Sequence, residues 1–306
     1  MKINIQEAKK SLINGGLVVF PTETVYGLGG DATNEKAINK IYNIKNRPKN
    51  NPLICHFKNI KDIEKHFIIN DKSYELAYKF WPGPLTLILE KKLNSKISPT
   101  LSNYKNLVGC RIPKNLVAQK LLNELDFPIA APSANYSTKL SSTKISHLSK
   151  EIKKDVYILD GGESMHGLES TVLKVIDDRA EILRLGSITY EEIRKVISKT
   201  VINNNNSKIS PGQQKKHYSP NKPIRINVKK VLKGESLLNF GINNLKSNLK
   251  ELNLSTNKDL KVAAKNFYNY LHLLDNSKCD GIAVAPIPNI GLGKTINDRL
   301  NRASFA

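Results

Sequence analysis

The chain has 306 residues, 40% of them hydrophobic, with a mean hydropathy of −0.37, a composition that fits one large or two medium soluble domains. No run approaches the ~18 apolar residues of a membrane span, and the amino-terminal MKINIQEAKKSLINGG has helical spacing without an apolar signal core, so a cytoplasmic protein is expected. Lys and Arg number 48 against 27 Asp and Glu, giving a formal net charge of +21; this diffuse field attracts polyanions without choosing between a nucleoside triphosphate and RNA.

Leu17 to Phe20 form an apolar run that predicts a strand, closed by Pro21. Thr22, Glu23 and Thr24 then fall at its carboxyl end, the edge where open α/β sheets bind ligands. Gly27, Gly29 and Gly30 predict a sharp turn into a helix capped by Thr33 or Asn34. Ile38, Ile41, Tyr42 and Lys45 share one face of that helix, so Lys45 either snorkels past the core or points into a cleft. Arg47 follows, held extended by Pro48, and Asn50, Asn51 and Pro52 lead into a second strand. Alternation there puts Leu53, Cys55 and Phe57 on one face and Ile54 with His56 on the other; taken alone, His56 reads as a core histidine.

Asp71 to Phe80 read as a helix stopped by Trp81-Pro82-Gly83-Pro84, with a strand from Leu85 to Leu89 and loop-like sequence over 90–106. Val108, Cys110 and Ile112 alternate with Leu107, Gly109 and Arg111, so Arg111 projects from a strand beside a glycine that leaves room for a ligand. An arginine in that place requires a carboxylate or phosphate, from a ligand or from the protein itself. A helix is predicted over Lys114 to Glu124 with Leu116, Val117, Leu121 and Leu122 inward. Pro128 to Ala131 give a strand ending at Pro132-Ser133-Ala134-Asn135, whose polar groups suit phosphate oxygens or a helix cap. Ser141, Ser142 and Thr143 precede another predicted helix, and Val156 to Leu159 a strand. Glu169, Ser170 and Thr171 start a strand to Ile176, which a turn pairs with Glu181 to Leu185, where Ile182 and Arg184 share a face. Thr189 and Glu192 form a capping box, and the helix to Ile197 closes a first domain over 1–199.

Residues 200–222 read as a linker, Asn203 to Asn206 and then SPGQQKKHYSPNKP, in which Tyr218 beside His217 marks more than a spacer. Residues 223–306 read as a small α/β domain: strand-like IRINV and SLLNF, a helix near Leu260 to Leu274 and a strand from Gly281 to Ala285. Cys55, Cys110 and Cys279 show no C-x-x-C spacing and the six histidines no zinc pattern, so no resident metal is expected.

The sequence is rich in hydroxyl, amide and cationic groups and pairs no nucleophile with a base. Such an inventory suits two substrates that react with each other while the protein positions them and stabilises charge. PTETVYGLGGDA, the turn Lys45-Asn46-Arg47-Pro48 and NPLICHF occur in one order and spacing. They are followed by WPGPLTLIL at 81–89, VGCRIP at 108–113, APSAN at 131–135, GLESTV at 167–172, LRLG at 183–186, HYSP at 217–220 and GLGKTINDRLNRA at 291–303. Together these closely resemble the L-threonylcarbamoyladenylate synthase family in its two-domain branch, over nearly the whole chain.

The resemblance implies a YrdC-like fold, a twisted open mixed sheet with flanking helices, plus a smaller carboxyl-terminal α/β domain. It implies formation of threonylcarbamoyl-AMP and pyrophosphate from L-threonine, bicarbonate or CO2, and ATP accompanied by Mg2+. The product would pass to a tRNA threonylcarbamoyl transferase complex. By the same resemblance Thr24, His56, Arg111 and Ser170 would bind threonine, with Arg111 pairing its carboxylate. Lys45, Arg47, Asn51, Ser133, Asn135, Ser141 and Arg184 would bind ATP, Lys45 and Arg47 as the catalytic cations, and Tyr218 would fold over the nucleotide as part of a lid. Leu107 stands where the family usually has a hydroxyl near ATP, which puts that contact in question, and Leu185 replaces the proline of its LRPG turn. Two rival readings are a non-catalytic double-stranded RNA or tRNA-binding protein and a carbamoyl-transfer module of a related maturation enzyme; the sequence lacks the zinc-finger and acylphosphatase-like segments of the second. Weak RNA binding is compatible with the synthase reading too.

Overall fold

The computed structural model of the chain describes residues 1–101, 106–203, 209–212 and 215–305. Residues 102–105 of the expected loop and 204–208 and 213–214 of the expected linker lie outside the described residues.

Among the described residues the first part of the chain builds a twelve-stranded mixed sheet. Its spatial order is Lys2–Ile3, Tyr157–Leu159, Val18–Phe20, Gly27–Asp31, Ile129–Ala131, Ile54–His56, Leu107–Arg111, Leu85–Lys91, Thr171–Ile176, Arg179–Arg184 and Thr200–Ile202, with Phe67–Ile68 paired beside Leu85–Lys91. Because side chains alternate along a strand, the sheet carries a core on each face. Val18, Phe20, Ile129 and Ala131 pack with Ala8 and Leu12 of the helix Ile5–Ile13 and Leu121 and Leu122 of the helix Leu116–Asn123. Val19, Leu28, Cys55, Leu87, Cys110 and Ile182 pack on the opposite face with Ile38, Ile41 and Tyr42 of the helix Glu35–Ile44 and Leu76 of the helix Asp71–Phe80. Asn34 caps the helix Glu35–Ile44, its side chain accepting from the N–H groups of Lys36 and Ala37.

Three local expectations are corrected. Gly27–Asp31 is not a turn but a strand, antiparallel to Val18–Phe20 and to Ile129–Ala131. Its glycines answer to close packing: a Cβ on Gly29 would lie 2.6 Å from Cγ2 of Ile129 and 2.8 Å from Cε1 of Phe20. Leu116 is 77% exposed, because the buried stripe of its helix runs through Ala118, Leu121 and Leu122. The segment after Thr143 forms only a 3-10 turn, Ile145–His147, before the short helix Lys150–Asp155.

The second sheet is parallel throughout, in the order Ile224–Arg225, Gly281–Val284, Glu235–Asn239 and Glu251–Asn253. The helix Leu260–Asp275 and a helix not anticipated from the sequence, Leu292–Ala303, pack through Phe267, Tyr268, Leu271, Ile296 and Leu300 with Leu238, Ile282 and Val284. That core continues onto Val25, Leu140 and Leu168 of the first domain and Tyr218, so the two sheets share buried apolar surface. No helix among the described residues is long and apolar enough to cross a membrane.

Candidate active site

A cleft enclosing about 560 Å³, open solvent included, lies where the carboxyl ends of Val18–Phe20, Leu107–Arg111, Ile129–Ala131 and Arg179–Arg184 meet the amino ends of Gly27–Asp31, Ile54–His56 and Thr171–Ile176. Of the residues singled out from the sequence, it is lined by Thr24, Arg47, His56, Arg111, Ser133, Ser170, Arg184 and Tyr218, together with Thr22, Glu169 and His217. Lys45, Asn51, Asn135 and Ser141 are not among its lining residues.

At one end the strand-end loop folds on itself. The Thr22 hydroxyl donates to the Val25 carbonyl (2.6 Å) and lies 2.8 Å from the Thr24 hydroxyl. With its own proton so used, Thr22 accepts from Thr24, which leaves the Thr24 oxygen to accept from Nη1 of Arg111 (2.9 Å). Arg111 reaches Glu23 through Nη2 (2.7 Å) and the Gly83 carbonyl through Nε (3.2 Å). The Glu23–Arg111 pair is almost wholly buried. Burial pushes the Glu23 carboxyl up, but the charge and hydrogen bond of Arg111, with the Lys114 N–H on the other oxygen, hold it below its ordinary range. Arg111 thus meets a carboxylate of the protein itself, and three of its five N–H groups are engaged while the side chain still borders the cleft.

His56 packs edge-on to Phe20, ring centroids 5.5 Å apart, with Nδ1 3.3 Å from the Ile129 carbonyl. Burial first, and then Arg111, bring it down to about 3, so it is a neutral imidazole. Since a carbonyl only accepts, Nδ1 carries the proton and Nε2 is left as an acceptor.

The other end is cationic. Arg47 donates to the Asn51 carbonyl (2.9 Å), the Asn51 side-chain oxygen (2.6 Å) and the Pro52 carbonyl (2.8 Å). Lys45 is 1% exposed; its ammonium donates to the carbonyls of Ser133 (2.6 Å) and Asn135, and burial, then Arg47, lower it well below its ordinary value. Asn135 ties its loop by donating to the carbonyls of Tyr136 and Lys139, both at 2.8 Å. Arg184 donates from Nη2 to Ser170 at its carbonyl (2.7 Å) and hydroxyl (3.1 Å), and from Nη1 to the Pro211 carbonyl (3.3 Å). The Ser170 hydroxyl also lies 2.7 Å from that of Thr86. Ser141 donates to Glu169 (2.6 Å).

The segment after the first domain closes one side. Tyr218 is 2% exposed at φ +59°, its ring 3.9 Å from that of His217. Gly212, at φ +84°, faces the Tyr218 hydroxyl so closely that a Cβ could not fit between them. Leu107, the position in question for ATP, is packed away from the cleft against Ile88, Val172 and Leu183. Among the described residues, Arg184 Nε, His217 Nδ1 and the Tyr218 hydroxyl on the cleft wall, and Asn51 Nδ2 and Asn135 Oδ1 behind it, are buried without a partner. Each such group costs about 1–3 kcal/mol when left unmade, so their gathering at one cleft marks where a polar ligand is to complete them.

Sequence reasoning missed Glu23, Glu169, His217 and Arg299 as parts of this constellation. Each sits inside a quoted motif, but its partner is remote: Glu23 and Arg111 are 88 residues apart, Glu169 and Arg299 130.

All six histidines are lowered from 6.5, burial being the largest cause in each. Their neutral folded forms give stability that is complete above the unfolded value near 6.5 and is lost as pH falls toward the folded values, about 3 for His56. For the buried His56 and His217 this amounts to about 1.4 kcal/mol each over the interval from about pH 7.5 to about pH 5.5, so urea unfolding at the lower pH is expected to show roughly 3 kcal/mol less stability than at the higher. Equal stabilities would contradict neutral buried histidines.

Residues 10–186 match the Sua5/YciO/YrdC family model, described as telomere recombination, and residues 188–304 match the C-terminal domain of threonylcarbamoyl-AMP synthase. The threonylcarbamoyl-AMP synthase of Bacillus subtilis is 35% identical over 321 residues, covering 98% of this chain and 92% of the relative. That of Pyrococcus abyssi is 34% identical over 313 residues, covering 95% and 91%. The crystal structure of P. abyssi Sua5 complexed with L-threonine superposes with a TM-score of 0.89 at 31% identity, over 99% of this chain and 97% of that one.

Proposed function

The chain belongs to the threonylcarbamoyl-AMP synthase family, and we propose that its cleft is where L-threonine, bicarbonate and ATP are condensed to threonylcarbamoyl-AMP and pyrophosphate. The amine of threonine adds to CO2 with loss of a proton, or to bicarbonate with loss of water; an oxygen of the resulting carbamate attacks the α-phosphorus of ATP, and the P–O bond to pyrophosphate breaks. One observation carries the assignment of the cleft: a single cavity joins a neutral, hydroxyl-rich end to an end walled by buried arginines.

Threonine fits the first end. Thr24, Ser170 and the Nε2 acceptor of His56 suit its hydroxyl and amine, and the unengaged N–H groups of Arg111 suit its carboxylate. The triphosphate fits the second, where Arg47 and Arg184 stabilise charge that develops on the α-phosphate and Ser133 borders the nucleotide. Lys45, Asn51, Asn135 and Ser141 shape that wall, Lys45 by holding the Ser133–Asn135 loop through its carbonyls. Tyr218 covers the nucleotide from the linker, which begins after the strand Thr200–Ile202 and not at residue 200, between a catalytic domain that includes that strand and a second domain over 223–306.

Magnesium fits as part of the substrate. Glu169 on the cleft wall and Glu23 beside Thr24 are each held by an arginine, and the described residues include no group of three His, Cys, Asp or Glu placed to hold a metal ion. The ion would therefore be bound chiefly by phosphate oxygens and water and would neutralise their charge. The product is a reactive mixed anhydride, so it would pass in the cytoplasm to an acceptor enzyme that acylates a tRNA adenosine; the net charge of +21 would favour weak contact with that RNA.

Incubation with ATP, magnesium, L-threonine and labelled bicarbonate is expected to yield a labelled compound that contains AMP. ATP consumption without label in such a compound would overturn the assignment.

A further inference from the structure

We propose that Arg299 is a positioning residue for this reaction, tying Glu169 and the Tyr218 ring of the cleft into one arrangement from the carboxyl-terminal domain. The inference rests on the synthase reading above and assigns the second domain a part in it.

Arg299 lies on the helix Leu292–Ala303 and is wholly buried, the largest such side chain among the described residues. Its guanidinium makes four distinct contacts. Nε donates to Oε2 of Glu169 (3.0 Å), Nη2 to the Leu185 carbonyl (2.5 Å) and Nη1 to Asp298, while its carbon sits 4.6 Å from the centre of the Tyr218 ring. A planar cation over an aromatic face is attractive, more so when dry, and the flat fork lets Arg bond at its edge while stacking through its face. Lysine could supply the charge but not both geometries.

Glu169 is the hub on the other side. Its Oε1 accepts from Ser141 (2.6 Å) and from the hydroxyl of Tyr268 on the helix Leu260–Asp275 (2.8 Å). Burial alone would push this carboxyl up, yet Arg299 and then Arg184 bring it down to about 2, so it stays charged. Glu169 and Tyr218 line the cleft and Arg299 does not, so Arg299 acts through them. Thr295, one turn earlier, donates to the Gly186 carbonyl (3.0 Å) and fixes the same helix against the turn after Arg184. The groups tied to Arg299 directly or through Glu169, namely Tyr218 and Ser141, belong to the nucleotide end, whereas Thr24, His56 and Arg111 are held by other contacts.

The test compares the full-length chain with Arg299→Lys. The KM for ATP is expected to rise about tenfold, with the KM for threonine within about twofold of wild type. Trypsin is expected to cut after the exposed Lys215 or Lys216 about tenfold faster, because Tyr218 no longer pins the linker. A merely structural role would lower stability and kcat while leaving both KM values and the linker cleavage rate in place, and that result would overturn the inference. Should Arg299→Lys fail to fold, the double variant Arg299→Met/Glu169→Gln leaves no charge of this pair buried alone and decides by the same two readouts. If the wild-type chain makes no threonylcarbamoyl-AMP, the synthase reading fails, while the tryptic comparison still decides whether Arg299 holds the linker.

Discussion

Replacing Arg111 by alanine is expected to lower the unfolding free energy by about 3–5 kcal/mol and to abolish threonine-dependent turnover. The first effect follows from Glu23, which is 1% exposed and keeps its charge only because the guanidinium lies 2.7 Å away. Without Arg111 the carboxylate is left with backbone N–H groups only, those of Glu23 itself and Lys114, and it must protonate or drag in water. The second effect follows from the loss of the cation beside Thr24 and His56. The double variant Arg111→Ala/Glu23→Gln separates the two: it is expected to regain most of the stability and none of the turnover. Urea unfolding of Arg111→Ala at wild-type stability would contradict the buried pair. Wild-type threonine affinity in calorimetry, for either variant, would contradict the placement of the amino acid.

Truncation after Asn203 is expected to leave a folded domain whose kcat/KM is at least about 100-fold down. Both cores of the large sheet are made by residues 3–197, so the domain keeps its packing. What it loses is functional: the Pro211 carbonyl on Arg184, the Tyr218 cover, and Tyr268 and Arg299 on Glu169. Glu169 would then be left with the Ser141 hydroxyl and the more distant charge of Arg184, and Val25, Leu140 and Leu168 would be bared to water. Circular dichroism with urea titration reads the fold and steady-state kinetics the loss. Undiminished turnover in a folded truncation would refute the contribution of the linker and of the second domain together.

The parts legible in the sequence are those set by neighbours along the chain. Asn34 as a cap, the stripe Ile38, Ile41 and Tyr42, and the split of Leu53, Cys55 and Phe57 from Ile54 and His56 all follow from helical or strand period. The second, smaller α/β domain could be anticipated for the same reason, while the mixed sheet of the first was implied by the family resemblance. The strand at Gly27–Asp31 could not, because its glycines are demanded by Phe20 and Ile129 across the sheet, and a local reading of glycine favours a turn. Leu116 misled because a helix's first turn may be apolar and still face water when the stripe begins two residues later. In the cleft, Thr24, His56, Arg111 and Arg184 were visible as polar residues on strand faces or strand ends. Their partners were not: that Arg111 meets Glu23 and that Arg299 crosses between domains to Glu169 are facts of long-range pairing, to which composition and period are blind. An arginine within an amphipathic helix is ordinarily a solvated residue, which is why Arg299 carried no signal until its burial was known.

Pyrophosphate release from ATP, with bicarbonate and magnesium present, measured with L-threonine and again with L-serine or no amino acid, tests the central claim most directly. The account predicts release that depends on threonine, because the reacting oxygen is that of threonine's carbamate. Release indifferent to the amino acid, or none with any of them alongside salt-sensitive RNA binding, would contradict it.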